Sequence, residues 1–213
     1  MSAKPATQTQ RQLQKAETRQ LLLDVAQKRF IDAGIANTSI TDITRAAGVA
    51  HGTFYIHFAN KDDIARLLLA ELNTGFATSV TRAVRRGVAG PLETAVRRVA
   101  HAFLDYWADN RGLIAALAEH LVGGLSLSDV RDGVNPPMVE LLREGVAALA
   151  SARGVAGADL DLLCHALLAM WMRVGLRYLF GPRISRKRAA AALVAMTTAT
   201  IDAVLPPKGD LHA

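Results

Sequence analysis

The sequence predicts an all-α protein of about nine helices, and three observations predict it. Of its 213 residues 51% are hydrophobic but only 5% aromatic, so the apolar share is mostly alanine, leucine and valine. Alanine and leucine are strong helix formers. Apolar residues recur at three- and four-residue steps in segment after segment. Between the segments stand glycine, proline and short polar runs, with no convincing strand pattern and no internal repeat.

Each element can be justified in order. Residues 1–12 (MSAKPATQTQRQ) lack apolar periodicity and are expected to form a flexible arm. From Leu13 to Ala33 the positions Leu22, Val25, Ala26, Phe30 and Ala33 make an amphipathic helix, which Gly34 stops. Thr38 and Ser39 offer capping oxygens to a second helix running to about Ala47, with Ile40, Ile43 and Ala47 inward. Gly48 supplies a tight turn, and a third short helix spans roughly Ala50 to His57.

Asn60 caps a long fourth helix beginning near Asp62, where Asp62 and Asp63 suit its positive end. That helix carries Ile64, Leu67, Leu68 and Leu72 and ends near Gly87. After GVAGP, helices are expected from Pro91 to about Asn110 and from Arg111 to Val122. Residues 123–137, rich in Gly, Ser, Asp and Pro, are the longest loop candidate. Helices at about Met138–Arg153 and Asp159–Phe180 follow, then GPRIS, then a last helix from Arg186 to about Leu205. The expected organisation is therefore an arm (1–12), a three-helix unit (13–61), a helical body (62–205) and a tail (206–213).

The net charge of +6 favours an anionic partner. It is unevenly spread: residues 1–61 hold eight Lys and Arg against four acids, and residues 62–213 supply the remaining +2. A basic amino-terminal end is the footprint of a nucleic-acid-binding module. The single cysteine, Cys164, excludes an internal disulfide and suits a reducing cytosol. The polar first twenty residues hold no signal-peptide core. Leu160 to Phe180 is apolar, but Asp161, His165, Arg173 and Arg177 interrupt it, so it reads as a core helix rather than a membrane span. A cytoplasmic protein with no membrane partner is the expectation.

Helix, glycine turn, helix is the arrangement that presents a second helix to the DNA major groove. If Ile40, Ile43, Ala47, Val49, Phe54 and Phe58 fix the angle between the helices, His51, Gly52, Thr53, Tyr55, Ile56 and His57 face outward. Gly52 would let the backbone approach a phosphate. Tyr55 would donate a phenolic hydrogen bond, Thr53 would reach a phosphate or base edge, and Ile56 would touch a thymine methyl. Lys61, at the start of the next helix, would add its charge to the helix dipole. The competing readings are structural: Tyr55 and His57 as bridges to the fourth helix, Ile56 as packing. Arg11, Lys15 and Arg19 are either a solvated face or an arm for the minor groove.

The pattern Ala46-Ala47-Gly48-Val49, Gly52-Thr53-Phe54-Tyr55, His57-Phe58 and Lys61 resembles the tetracycline-repressor (TetR) family of bacterial transcriptional regulators. The likeness covers about residues 16–76, with the motif at 39–58. It implies an amino-terminal helix-turn-helix domain, a carboxyl-terminal helical domain for ligand and dimerisation, and a homodimer on a near-palindromic double-stranded DNA operator. It also implies DNA contacts at Thr41, His51, Gly52, Thr53, Tyr55, His57 and Lys61, with Ser39 beside a phosphate. Two departures stand out. Ala50 replaces a frequent serine and loses its capping oxygen, and His51 replaces a frequent lysine, which weakens fixed charge and makes affinity pH-sensitive in expectation.

The body offers the makings of a largely apolar pocket in Phe103, Trp107, His120, Met138, Trp171, Met172 and Arg173, with Tyr106, Cys164, His165 and Arg177 nearby in sequence. Arg173 would meet an anionic or carbonyl group of a small effector. The alanine-rich last helix, with Ala189–Ala192, Ala195, Ala199 and Ala203, admits close packing, and the resemblance implies a four-helix bundle between two copies. No cofactor and no metal are expected: Cys164 and His165 are adjacent and point about 100° apart on a helix. No nucleophile elbow, phosphate-cradling glycine loop or carboxylate–histidine cluster suggests an enzyme. The expectation is a ligand-responsive regulator, most simply a repressor. The alternatives are a non-specific architectural DNA binder and a metal-responsive regulator.

Overall fold

The structure, a computed structural model, describes residues 10–85, 91–122 and 136–207. Among them are nine helices and no strand: α1 (Gln10–Ala33), α2 (Ile40–Ala47), α3 (His51–His57), α4 (Lys61–Arg85), α5 (Leu92–Asp109), α6 (Arg111–Val122), α7 (Pro136–Arg153), α8 (Leu160–Phe180) and α9 (Arg186–Val204). The chain divides into two compact units. One is Met1–Glu71 with Gly112–Gly124, the other Leu72–Arg111 with Leu125–Ala213, so the division falls inside α4.

Sequence and structure differ at element ends. Gln10, Arg11 and Gln12 are already helical, so the expected arm is shorter than residues 1–12, the rest of which lies outside the described residues. Gln and Arg are good helix formers, and the first turn of a helix needs no buried face. Pro136 and Pro137 open α7 instead of closing a loop, a position where proline's missing N–H costs nothing. α4 ends at Arg85, and the expected end at Gly87 lies outside the described residues. Ala33 is exposed and Leu23 is buried in its stead.

The first unit is built on Leu22, Leu23, Ala26, Phe30, Ile35, Ile43, Phe54, Phe58, Ile64 and Leu68, most of them fully buried. α6 belongs to it: a Cβ on Gly112 would stand 2.8 Å from Ile31 of α1, so only glycine lets the two helices approach so closely. The second unit packs α5, α7, α8 and α9 around Phe103, Leu104, Leu167 and Leu193. α8 is long and apolar enough to cross a membrane by composition, yet Leu163, Cys164, Leu167, Leu168, Gly175 and Leu179 lie in this core. Arg153 ties α7 to the end of α9, with one guanidinium nitrogen 2.7 Å from Asp202 and bonded to the Leu205 carbonyl.

Candidate nucleic-acid interface

Three local devices place α3. Ser39 caps α2: its Oγ accepts from the Asp42 N–H at 3.1 Å, while the Asp42 carboxylate accepts from the Ser39 N–H at 3.1 Å and from its hydroxyl at 2.5 Å. This reciprocal capping box holds the Asp42 carboxyl below its ordinary value, first through the hydroxyl bond and then through the backbone one. At the other end Gly48 adopts φ +68°, a left-handed turn that a side chain would strain. The Gly48 N–H then bonds the Arg45 carbonyl at 3.2 Å and the Val49 N–H the Thr44 carbonyl at 3.0 Å. Finally Phe54 is completely buried in the unit's core, with Phe58 one turn on, its ring 5.8 Å from that of Phe54.

Burying Phe54 and Phe58 turns the opposite side of α3 outward. Tyr55 is 54% and Ile56 65% exposed, so the packing alternative for Ile56 has no support. His51 and Gly52 are exposed as well, and the His51 and Tyr55 rings lie 5.5 Å apart. Thr41 and Ser39 are exposed on α2, and Thr53 is half-buried. A Cβ on Gly52 would meet no protein atom within 4 Å, so nothing inside the chain requires glycine there. Alanine in place of a glycine whose backbone it can adopt stabilises by about 0.4–1 kcal/mol, so glycine suits an outside partner better than the fold. Ala50 makes no side-chain cap, as its side chain requires.

His57 and Lys61 are held differently from the others. His57 is half-buried and its Nδ1 has no partner. Burial, then Lys15 and Arg19, pushes its imidazole below the ordinary value. Lys61 does not stand free at the dipole end of α4. Its ammonium donates to the carbonyls of Ile35 at 2.7 Å, Ala36 at 3.2 Å and Thr38 at 3.3 Å. Those carbonyls, in the turn between α1 and α2, have no helical partner to satisfy them, and they capture the cation. Lys61 is thus a clasp within the unit. Thr38 likewise is no cap: it is buried, and its hydroxyl donates to the Gly34 carbonyl at 2.8 Å.

Beside the exposed face runs an open groove of about 590 Å³ lined by Arg19, Tyr55, Ile56, His57, Phe58, Ala59, Asp63, Arg66 and Leu67. Arg19 stacks over the Phe58 ring at 4.9 Å, and Arg66 pairs with Asp63 at 3.0 Å. The sequence reading missed Asp42 and Arg66. Asp42 was legible as the fourth member of Ser39-Ile40-Thr41-Asp42, and Arg66 by its three-residue spacing from Asp63, though not its place beside α3.

The residues expected to bind an effector are mostly core. Phe103 is buried, with ring centroids 4.8 Å from Trp107 and 5.3 Å from Trp171, and the Trp171 Nε1–H donates to Thr197 Oγ1 at 2.8 Å. A Cβ on Gly175 would fall 2.6 Å from both Phe103 and Trp107. Met138 is buried and Met172 half-buried in the same core, while Arg173 is exposed. The His120 side chain lies outside the described residues. Among the described residues no three His, Cys, Asp or Glu side chains could hold a metal.

Residues 22–68 match the model of the bacterial regulatory proteins, tetR family. The chain is 44% identical over 61 residues to the HTH-type transcriptional regulator AcrR of Shigella flexneri, 28% of each chain. It thus spans under a third of the length of this and two other curated relatives, both from Pseudomonas putida. Over 200 residues, 88% of this chain and 92% of the relative, it is 26% identical to the HTH-type transcriptional repressor DhaR of a Mycobacterium. A solved TetR-family transcriptional regulator from Syntrophomonas wolfei superposes with a TM-score of 0.71 at 19% identity, covering 87% of this chain and 95% of that one. That likeness shows a shared fold.

Proposed function

Because this chain belongs to the tetR family of bacterial regulatory proteins, a family of regulators and not of enzymes, we propose that it is a ligand-responsive transcriptional repressor. It binds a near-palindromic operator as a homodimer and leaves it when a small, largely apolar effector binds. The observation that carries the reading is the outward face of α3: Tyr55 and Ile56 are exposed beside a glycine the fold does not need, while Phe54 between them and the core is fully buried. Exposed apolar residues on a helix already anchored by its buried phenylalanine favour an outside partner over folding.

In this reading Tyr55 and Thr53 bond phosphates, Gly52 admits the backbone, and His51 and Ile56 meet base edges; Thr41 and Ser39 add contacts from α2. Lys61 acts by holding the turn before α2. Dimerisation is supported by what α8 and α9 leave uncovered in a single chain. Leu162 is 66% and Met196 45% exposed, with Ala191, Ala192, Ala195, Ala199 and Ala203 exposed as well. Small side chains let a second copy's helices approach closely. The effector would open the Phe103–Trp107–Trp171 cluster, where the Trp171–Thr197 bond supplies a polar handle.

Two recognition helices must sit about 34–36 Å apart to enter successive major grooves. α4 starts in the first unit and ends in the second, so one helix belongs to both. Reversing a 99:1 preference requires an effector that favours one shape about 10⁴-fold. The test is a gel shift with duplexes from the DNA flanking its own gene, against random competitor, followed by titration with apolar metabolites. Retarded bands of dimer mass that a metabolite dissolves support the reading. A monomer indifferent to every flanking duplex sinks it.

A further inference from the structure

One long stretch of the second unit is basic with no acid to oppose it. Residues 162–201 contain Arg173, Arg177, Arg183, Arg186, Lys187 and Arg188 and no Asp or Glu. Four of these fall in the turn between α8 and α9 and the first residues of α9, and all four are exposed. Arg186 is anchored: its guanidinium makes two bonds of 2.6 Å to the Asp105 carboxylate near the end of α5. Arg183, Lys187 and Arg188 have no acidic partner among the described residues. They gather where α9, capped by Ser185, also presents its positive dipole end.

We infer that Arg183, Lys187 and Arg188 form an auxiliary surface for the phosphate backbone of duplex DNA. The inference rests on the DNA-binding reading above and extends it to a second unit that the recognition helix does not include. The geometry argues for an extended polyanion over a single small anion. Successive residues of a helix point about 100° apart, so Lys187 and Arg188 cannot converge on one phosphate but can serve neighbouring ones. Arginine dominates, and its planar fork pairs with phosphate oxygens. A lipid surface is less well matched. The residues between the cations are Ser185 and half-buried Ile184, and nearby Phe180 already carries Arg111 at 5.4 Å over its ring, so no free apolar anchor accompanies the charge.

The test uses the full chain and a random-sequence duplex, with affinity measured over a range of salt. Each phosphate contact contributes about 0.9 to the slope of log K against log salt. The variant Arg183→Ala/Lys187→Ala/Arg188→Ala should flatten that slope by about 2 or more, with thermal midpoint and solution mass unchanged. Arg183→Ala/Lys187→Ala serves should the triple variant not fold, with a flattening of about 1.5 or more. Removing three cations elsewhere on the same unit, Arg82→Ala/Arg85→Ala/Arg97→Ala, should change the slope by less than 1 and so separates the patch from net charge. A wild-type slope retained by the patch variants overturns the inference alone. Absence of duplex binding by the wild type overturns the DNA-binding reading with it, and patch-dependent binding to phosphatidylserine vesicles but not to DNA replaces it with a membrane.

Discussion

The same residue types lead opposite lives in the two units. On α3, Tyr55 and Ile56 are held out in solvent by a helix whose angle is set locally, by the Ser39–Asp42 box, the Gly48 turn and one buried phenyl ring. In the body, Phe103, Trp107 and Trp171 lock against each other over the bare backbone of Gly175. An aromatic residue thus says nothing of its role by itself. What decides is whether the neighbouring turn of helix already satisfies the core.

The largest effect that tests this contrast comes from two adjacent residues. Phe54→Ala should cost about 3–5 kcal/mol of stability, because it empties a fully buried site. Tyr55→Ala should stay within about 0.5 kcal/mol of wild type in urea unfolding, as an exposed side chain does, while lowering duplex affinity about tenfold or more. Equal losses of stability in the two variants would erase the distinction.

Lys61 comes next. Replacing it by Met keeps the stem but takes a donor from three carbonyls, of which only that of Ile35 keeps a backbone partner, the Thr38 N–H; this should cost about 1–3 kcal/mol. Any loss of DNA affinity should then parallel the loss of folded protein. Full stability with weakened binding would restore Lys61 to the DNA surface. Gly52→Ala is smaller and opposite in sign. It should stabilise the chain by about 0.5–1 kcal/mol, since a Cβ there meets nothing, and still weaken duplex binding. A variant both stabler and tighter-binding would show that no backbone approach occurs at this position.

How much of this was legible follows the same division. The three amino-terminal helices announce themselves locally, through Gly34, Ser39 and Gly48 as stops and caps and through the three-residue spacing of Ile40 and Ile43. Those signals act over four residues and survive without knowledge of the fold. Lys61 misled because its partners lie 23 to 26 positions back, and a lysine behind an Asn cap looks free until the turn folds under it. The contacts of the body aromatics were hidden for the same reason: Phe103 and Trp171 meet only after α5 and α8 pack. Helix order in the body was readable from periodicity, but what each face touches was not.

The smallest expected effect separates the units by pH. His57 lies in the first unit with its imidazole pushed below the ordinary 6.5 by burial, and next by Lys15 and Arg19. The unfolded chain therefore takes up the proton before the folded one does. The stability this site contributes is complete above the unfolded value of 6.5 and falls as pH drops through it to the folded value. Asp42, depressed below 3.8, begins to lose its contribution only near and below that value, well under the pH at which the His57 loss begins. Urea midpoints of wild type and His57→Gln between pH 8 and 5 should therefore diverge in slope only below neutrality, the variant declining less. Parallel curves would mean that the unpartnered Nδ1 of His57 is reached by water and that this part of α3 is no drier than Tyr55 beside it.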